Sequence, residues 1–289
     1  MATSSPSDRF PLQRIRVRER TLAVRDSAPE RTDLPIVLGV HGIPESSAVW
    51  QDLMAELEGE ARVVVLDLPG FGASDKPRDL DLSLPSLAGW LGDAVDVHLG
   101  VEAQVHLVVH DIGGPIGLIW AQAHAERLAS LTVLNTTLFV EHFKPPLPAV
   151  LAAIPVVGRR TVATILGSAS RFESTVQRAA GRPLDAATLA ALRAPYERAD
   201  ARWAAAGVWA AYPRSTGGLR AARRGLRAMD VPARVVFGAR DPYCLPASAR
   251  AFAERLPQAT LHLLDDVGHW TATEAPVEVA GHVRALVRG

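Results

Sequence analysis

Sulfur is scarce in this chain. Among 289 residues there are three methionines and one cysteine, Cys244. A single cysteine excludes an internal disulfide framework and a thiolate metal cage. Charge of one sign is not in excess either: 31 basic and 31 acidic side chains cancel. A balanced chain offers no bulk field for nucleic acid or an anionic membrane, and neither is expected as a partner. Long apolar runs are missing. Pro35–Val40 is typical, far short of the ~20 residues that span a bilayer. The amino terminus MATSSPSDRFPLQ has no charged-then-apolar leader, so a cytoplasmic location is expected. No phosphate loop, G-x-G-x-x-G fingerprint or metal-ligand spacing occurs, so neither cofactor nor metal is expected.

What is present is apolar residue content of 48%, ample for a core. Residues 1–12 read as a loose arm and 13–26 as two half-exposed antiparallel strands at a sheet edge. The short β-branched runs at 35–40, 62–68, 105–110 and 131–135 suit strands buried on both faces. Helical stretches at about 46–58, 84–99 and 115–128 separate them, which predicts βαβ crossovers. Strands resume at 234–238 and 260–266, each followed by a helix, at about 245–256 and 273–288. Between them lies an Ala-, Arg- and Pro-rich helical stretch. The expected fold is α/β: a mostly parallel sheet flanked by helices, built from 1–137 and 216–289, with a helical cap over 138–215.

The chemistry centres on VHLVVHDIGGPIGLI at 105–119. A buried strand ends at His110, Asp111 follows, and Ile112-Gly113-Gly114 leads into a helix with Pro115 in its first turn. This is a nucleophile elbow with Asp in the place usually held by Ser. The alternative is an Asp that merely caps the helix. An elbow nucleophile needs an acid and then a base downstream. Asp241 in GARDPY and His269 in GHW follow the last two strands in that order. His41-Gly42-Ile43-Pro44 follows the first central strand and can offer the Ile43 N–H beside that of Ile112 as an oxyanion hole. His110 reads as a structural hydrogen-bonding residue. Asn135-Thr136-Thr137 matches a glycosylation sequon but ends a buried strand. The arginines of 214–227 read as a solvated helix face, and nothing near Cys244 marks a reactive thiolate.

HGIP, LDLPGFGASDKP at 66–77, HDIGG, GARDP and GHW together resemble the α/β-hydrolase superfamily, from about residue 14 to the end. Asp at the elbow is similar to the branch holding haloalkane dehalogenases and epoxide hydrolases. Val109, RAPY at 193–196 and AYP at 211–213 lean toward dehalogenases, whereas the position of Asp241 fits one dehalogenase subgroup and epoxide hydrolases alike. Two departures concern the leaving group. Dehalogenases hold halide with a Trp after the nucleophile, and most add an Asn in the HGxP loop; here those positions are Ile112 and Ile43. Neither side chain donates a hydrogen bond, so halide would leave unsolvated unless Trp203, Trp209 or Trp270 substitutes. The resemblance to epoxide hydrolases implies cap tyrosines as proton donors, for which Tyr196 and Tyr212 are candidates. Cap aromatics including Phe139, Phe143 and Phe172 suggest a small apolar organic substrate, with water as co-substrate.

A carboxylate nucleophile is already ionised near neutral pH and attacks saturated carbon, leaving an alkyl ester that water must cleave. Opening of an epoxide to a diol is therefore the leading expectation. Carbon–halogen hydrolysis comes next, followed by ester or lactone hydrolysis. A non-catalytic small-molecule receptor on the same scaffold is the alternative of a different class.

Overall fold

The computed structural model describes residues 9–154 and 157–289. Most of the expected amino-terminal arm lies outside the described residues. Phe10, inside it, is not loose: it is buried in the core, and its carbonyl accepts from Arg25.

Eight strands form one sheet: β1 (Leu12–Val17), β2 (Arg20–Asp26), β3 (Ile36–Val40), β4 (Arg62–Asp67), β5 (Val105–His110), β6 (Leu128–Leu134), β7 (Pro232–Gly238) and β8 (Gln258–Leu264). Their spatial order is β1-β2-β4-β3-β5-β6-β7-β8. β1 pairs antiparallel with β2 and β2 antiparallel with β4, while all other pairs are parallel. β3 to β6 are the β-branched runs, and helices cover both faces because a parallel sheet needs crossovers. One expectation changes at the edge. β2 is buried from Leu22 to Asp26, since β4 closes its far side, and of these two strands β1 alone is a half-exposed edge.

Before β6 come α1 (Gln51–Glu56), α2 (Leu84–Leu99) and α3 (Gly113–Ala123). Between β6 and β7 lie α4 (Leu147–Ala152), α5 (Gly158–Gly167), α6 (Ala169–Ala179), α7 (Ala186–Arg193), α8 (Ala199–Ala211) and α9 (Thr216–Gly225). The chain finishes with α10 (Pro246–Ala253), α11 (Thr271–Glu274) and α12 (Pro276–Val287). The single helix expected over 273–288 is two, because Pro276 has no N–H to continue the first and restricts Ala275 before it. Likewise the helix expected at 46–58 is a short 3-10 turn at Ser47–Trp50 followed by α1.

One buried ion cluster locks the second strand. Asp26 accepts from Arg62 Nη2 at 2.6 Å, and His98 Nε2 lies 2.8 Å from the same oxygen. Burial opposes the charged form, but the contacts with His98 and Arg62 outweigh it and hold the carboxyl below its ordinary value. The stabilisation is thus present above the unfolded-state pKa and lost as pH falls through the folded one. Asp26→Asn is expected to cost about 3 kcal/mol at neutral pH, since it leaves a buried guanidinium without its anion. Urea unfolding of the variant and the parent measures this directly.

Candidate active site

The carboxyl ends of β3, β5, β6 and β7 converge, as open α/β sheets require of a site. Asp111 sits directly after β5 with φ of 49°, a left-handed conformation costly for any residue but glycine. The strain is held by ties to the end of β6: Asp111 N–H donates to Asn135 O at 3.1 Å, and Thr136 Oγ1 donates to Asp111 O. Close packing demands glycine around it. A Cβ at Gly42 would stand 2.4 Å from Asp111 Cβ, and one at Gly113 would stand 2.2 Å from the Val40 carbonyl. That is the sharp strand–turn–helix of an elbow.

Asp111, His269 and Asp241 come together. His269 Nε2 lies 3.3 Å from Asp111 Oδ2, and His269 Nδ1 lies 2.8 Å from Asp241 Oδ2. The other Asp111 oxygen, Oδ1, accepts from the Ile43 N–H at 2.8 Å. Ile112 lines the same cavity, and its N–H has no partner among the described residues. Asp241 and His269 are buried, whereas the Asp111 side chain keeps 16% exposure. Burial works against ionised Asp111, but the hydrogen bond and charge of His269, the charge of His110 and the Ile43 N–H together depress its pKa. Burial likewise opposes charge on His269, yet Asp241 and Asp111 push its pKa well above the ordinary imidazole value. Both shifts favour a charged His269 beside an ionised Asp111.

Five residues given no catalytic part in the sequence hold this arrangement. Asn135, read there only as a sequon, donates from Nδ2 to Asp241 Oδ2 at 2.7 Å. Tyr243 N–H and Cys244 N–H donate to Asp241 Oδ1 at 2.7 and 3.1 Å. The Tyr243 ring also meets His269 edge-on at 5.4 Å. Glu274 accepts from the N–H groups of Gly268 and Trp270 on either side of the histidine. Glu45, three residues past Gly42, accepts from the Gly42 N–H at 2.9 Å and lies 2.8 Å from His110 Nδ1. His110 Nε2 in turn lies 2.7 Å from the His269 carbonyl. His41 Nε2 accepts from Leu68 N–H, and its Nδ1 lies 2.8 Å from Gly42 O, so it secures the oxyanion loop from behind.

The ligand atoms of Asp241, Cys244 and His269 also lie within 4.8 Å of one another, a proximity not foreseen in the sequence. Both Asp241 oxygens are already engaged by N–H groups, and burial pushes the Cys244 thiol well up, so it stays a poor ligand. The cluster fits hydrogen bonding better than a metal.

The cavity beside Asp111 is about 70 Å³, several times the ~10–15 Å³ that admits one water. Its wall includes Trp209, Tyr212, Trp270, Phe143 and Phe172. Trp270 differs from the expectation: its indole N–H donates to Val176 O at 3.0 Å and is not available to a leaving group. Three other candidates do not line the cavity. Trp203 lies under the Arg159 guanidinium, 4.1 Å away, beside a different surface depression. Phe139 packs edge-on against Phe252 at 5.0 Å. Tyr196 is buried behind the wall against Phe172. Burial, with carboxylates nearby, raises the phenols of both Tyr196 and Tyr212, so both keep their protons at neutral pH.

A family model described as alpha/beta hydrolase fold matches residues 35–276. The chain belongs to the α/β-hydrolase family. It is a hydrolase. Over 98% of its length it is 28% identical to a cis-3-alkyl-4-alkyloxetan-2-one decarboxylase of Xanthomonas campestris pv. campestris, covering 97% of that protein. A stretch covering 42% of the chain is 34% identical to epoxide hydrolase 4 of Mus musculus, covering 33% of it. The fold matches a haloalkane dehalogenase loop variant from Bradyrhizobium elkanii with a TM-score of 0.83, at 24% identity over 97% of each chain. Among the described residues no helix of this hydrolase is long and apolar enough to cross a membrane.

Proposed function

We propose that this hydrolase opens an epoxide to a diol through an ester on Asp111, with residues 138–215 capping a core of 1–137 and 216–289. The observation that carries the reading is how the Asp111 carboxylate is held. Oδ1 is fixed by the Ile43 N–H, which leaves Oδ2 to attack. Oδ2 bonds to a ring carbon as the carbon–oxygen bond opposite breaks, and the Tyr212 phenol protonates the departing ring oxygen. Esterification removes the charge on Asp111, one of the two carboxylates that keep His269 protonated. The imidazolium can then return a proton, directly or through water, to the Tyr212 phenolate left by ring opening and, oriented by Asp241, deprotonate a water that attacks the ester carbonyl. Oxyanion charge collects on Oδ1, beside the N–H groups of Ile43 and Ile112. Collapse expels the substrate alkoxide, which takes a proton from the His269 imidazolium to leave as diol, and the new carboxyl of Asp111 returns its own proton to His269.

Leaving-group chemistry separates the substrates. An alkyl halide releases an anion that needs N–H donors in an apolar pocket. Ile43 and Ile112 have no donor in their side chains, and the Trp270 indole is committed to Val176. Tyr212→Phe is expected to slow epoxide opening about 100-fold, the usual worth of a positioned acid, while Trp209→Phe leaves it largely unchanged. Dehalogenation would show the reverse ranking.

The similarity along the whole chain to an oxetanone decarboxylase supports a second reading. An oxetan-2-one is also a strained ring with a saturated carbon bound to oxygen, which the same carboxylate can attack. A panel of epoxides, haloalkanes and a cis-dialkyl oxetan-2-one, read for diol, halide and carbon dioxide, decides the matter. Diol formation is expected. Halide or carbon dioxide release without diol would replace the epoxide reading.

A further inference from the structure

The inner cavity shares part of its wall with a second, larger one. This outer cavity, of about 810 Å³, has Pro146, Pro148, Ile165, Thr175 and Tyr243 in common with it. These five residues stand between the space beside Asp111 and the outer one. The chamber is also tied to the catalytic loop: Lys144 N–H donates to the Tyr243 carbonyl at 2.9 Å, and Phe143 bridges to Cys244.

The chamber's lining combines apolar Pro145, Pro146, Leu147 and Ile165 with three cations. Lys144, Arg171 and Arg178 line it, all three are exposed, and no Asp or Glu is among the described lining residues. None of the three reaches a carboxylate within 4.0 Å among the described residues, whereas nearby Arg182 and Arg193 pair with Asp266 and Glu173. Arg178 is steadied within its own helix by Ser174, through the carbonyl and Oγ. The periodicity of α6 explains the division. Phe172 and Val176 turn into the inner cavity, and Arg171, Ser174 and Arg178 fall about a turn apart along the rim. A solvated helix face is the ordinary setting of exposed arginines. Here, however, cations from two segments line one cavity together with apolar residues that also wall the space beside the nucleophile.

Resting on the epoxide reading, we propose that the substrate is an alkyl chain ending in a carboxylate, which Lys144, Arg171 and Arg178 receive at the mouth while Asp111 attacks the distal ring. Guanidinium and ammonium donors pair with a carboxylate through charge-assisted hydrogen bonds, and the alkyl body covers the proline-lined wall. The reacting carbon and the head group are then recognised in the two adjoining cavities.

Calorimetric titration of the wild-type enzyme with decanoate and with decanol tests the anion site without requiring turnover. Decanoate is expected to bind about tenfold more tightly at low salt, the combined worth of a few partly exposed charge-assisted contacts. Added salt should narrow the advantage. The triple replacement Lys144→Gln, Arg171→Gln, Arg178→Gln should abolish it, while Arg220→Gln with Arg224→Gln on α9 should leave it intact. Equal binding of acid and alcohol, or equal loss in the α9 variant, would overturn the proposal. A parallel turnover assay compares an epoxidised long-chain fatty acid, its methyl ester and styrene oxide. If none is opened while the decanoate preference holds, the epoxide reading falls and carboxylate recognition stands. If all are opened and decanoate shows no preference, the reverse conclusion follows.

Discussion

His269→Gln is expected to leave the enzyme alkylated on Asp111 by its substrate, with turnover reduced about 1,000-fold. A carboxylate needs no base to attack, and in the variant the His110 charge and the Ile43 N–H still favour the ionised Asp111 against burial. Glutamine can still donate toward Oδ2 and Asp241 but cannot accept a proton from water. Ester formation therefore continues and hydrolysis stops. Intact-mass spectrometry after mixing should show one substrate mass added per chain. The pH dependence in the wild-type enzyme follows the same logic. His269 is held protonated by Asp241 and Asp111, and the ester removes one of these anions. Hydrolysis should accelerate as pH rises through the imidazole pKa of the ester form, and the adduct should accumulate at acid pH. Unmodified protein at every pH would contradict the two-step course.

Glu45→Ala should produce the largest loss of stability at the site, about 3 kcal/mol by urea unfolding, with activity falling as well. Glu45 and His110 are both fully enclosed, and the pair links the Gly42 N–H to the His269 carbonyl. Burial opposes both charges, but each holds the other ionised: the Glu45 carboxyl below its usual range and the His110 imidazole above its own. The glutamate's contribution is present above its unfolded-state pKa and lost as pH falls through the folded value. The histidine's is present below its unfolded pKa and lost as pH rises through the folded value. Removing Glu45 frees the oxyanion loop and the histidine backbone together, so kcat should suffer more than KM. An unchanged unfolding midpoint would show that the pair is dispensable.

How much of this was legible beforehand follows from where each residue sits. Asp111 and Asp241 follow short β-branched runs, which identify themselves as buried strands without any knowledge of their neighbours, while His269 follows the Leu-rich, half-exposed edge strand β8. Their loops then fall at one end of a parallel sheet by topology alone. Glu45, Asn135 and Glu274 act through partners distant in sequence or through backbone N–H groups, which a one-dimensional pattern does not pair. A signal did exist for Glu45: an acidic residue in the otherwise uncharged run GVHGIPESSAVW needs a buried partner. The aromatic candidates of the helical segment divide for a geometric reason. Trp203 and Trp209 share α8, but six residues turn a helix to faces about 120° apart, so only one can meet the cavity. Trp209 lines it, while Trp203 lies beside a separate surface depression. Trp270 lines the cavity yet spends its N–H on Val176, a contact no spacing reveals.

A single turnover of styrene oxide in heavy-oxygen water, followed by mass spectrometry of the peptide containing Asp111, addresses the nucleophile itself. Water that cleaves an ester at its carbonyl carbon leaves its oxygen on the enzyme, so the peptide should gain one heavy oxygen and the first diol should contain none. Label in the diol with an unlabelled peptide would mean that water attacks the ring directly, and that Asp111 forms no bond to substrate.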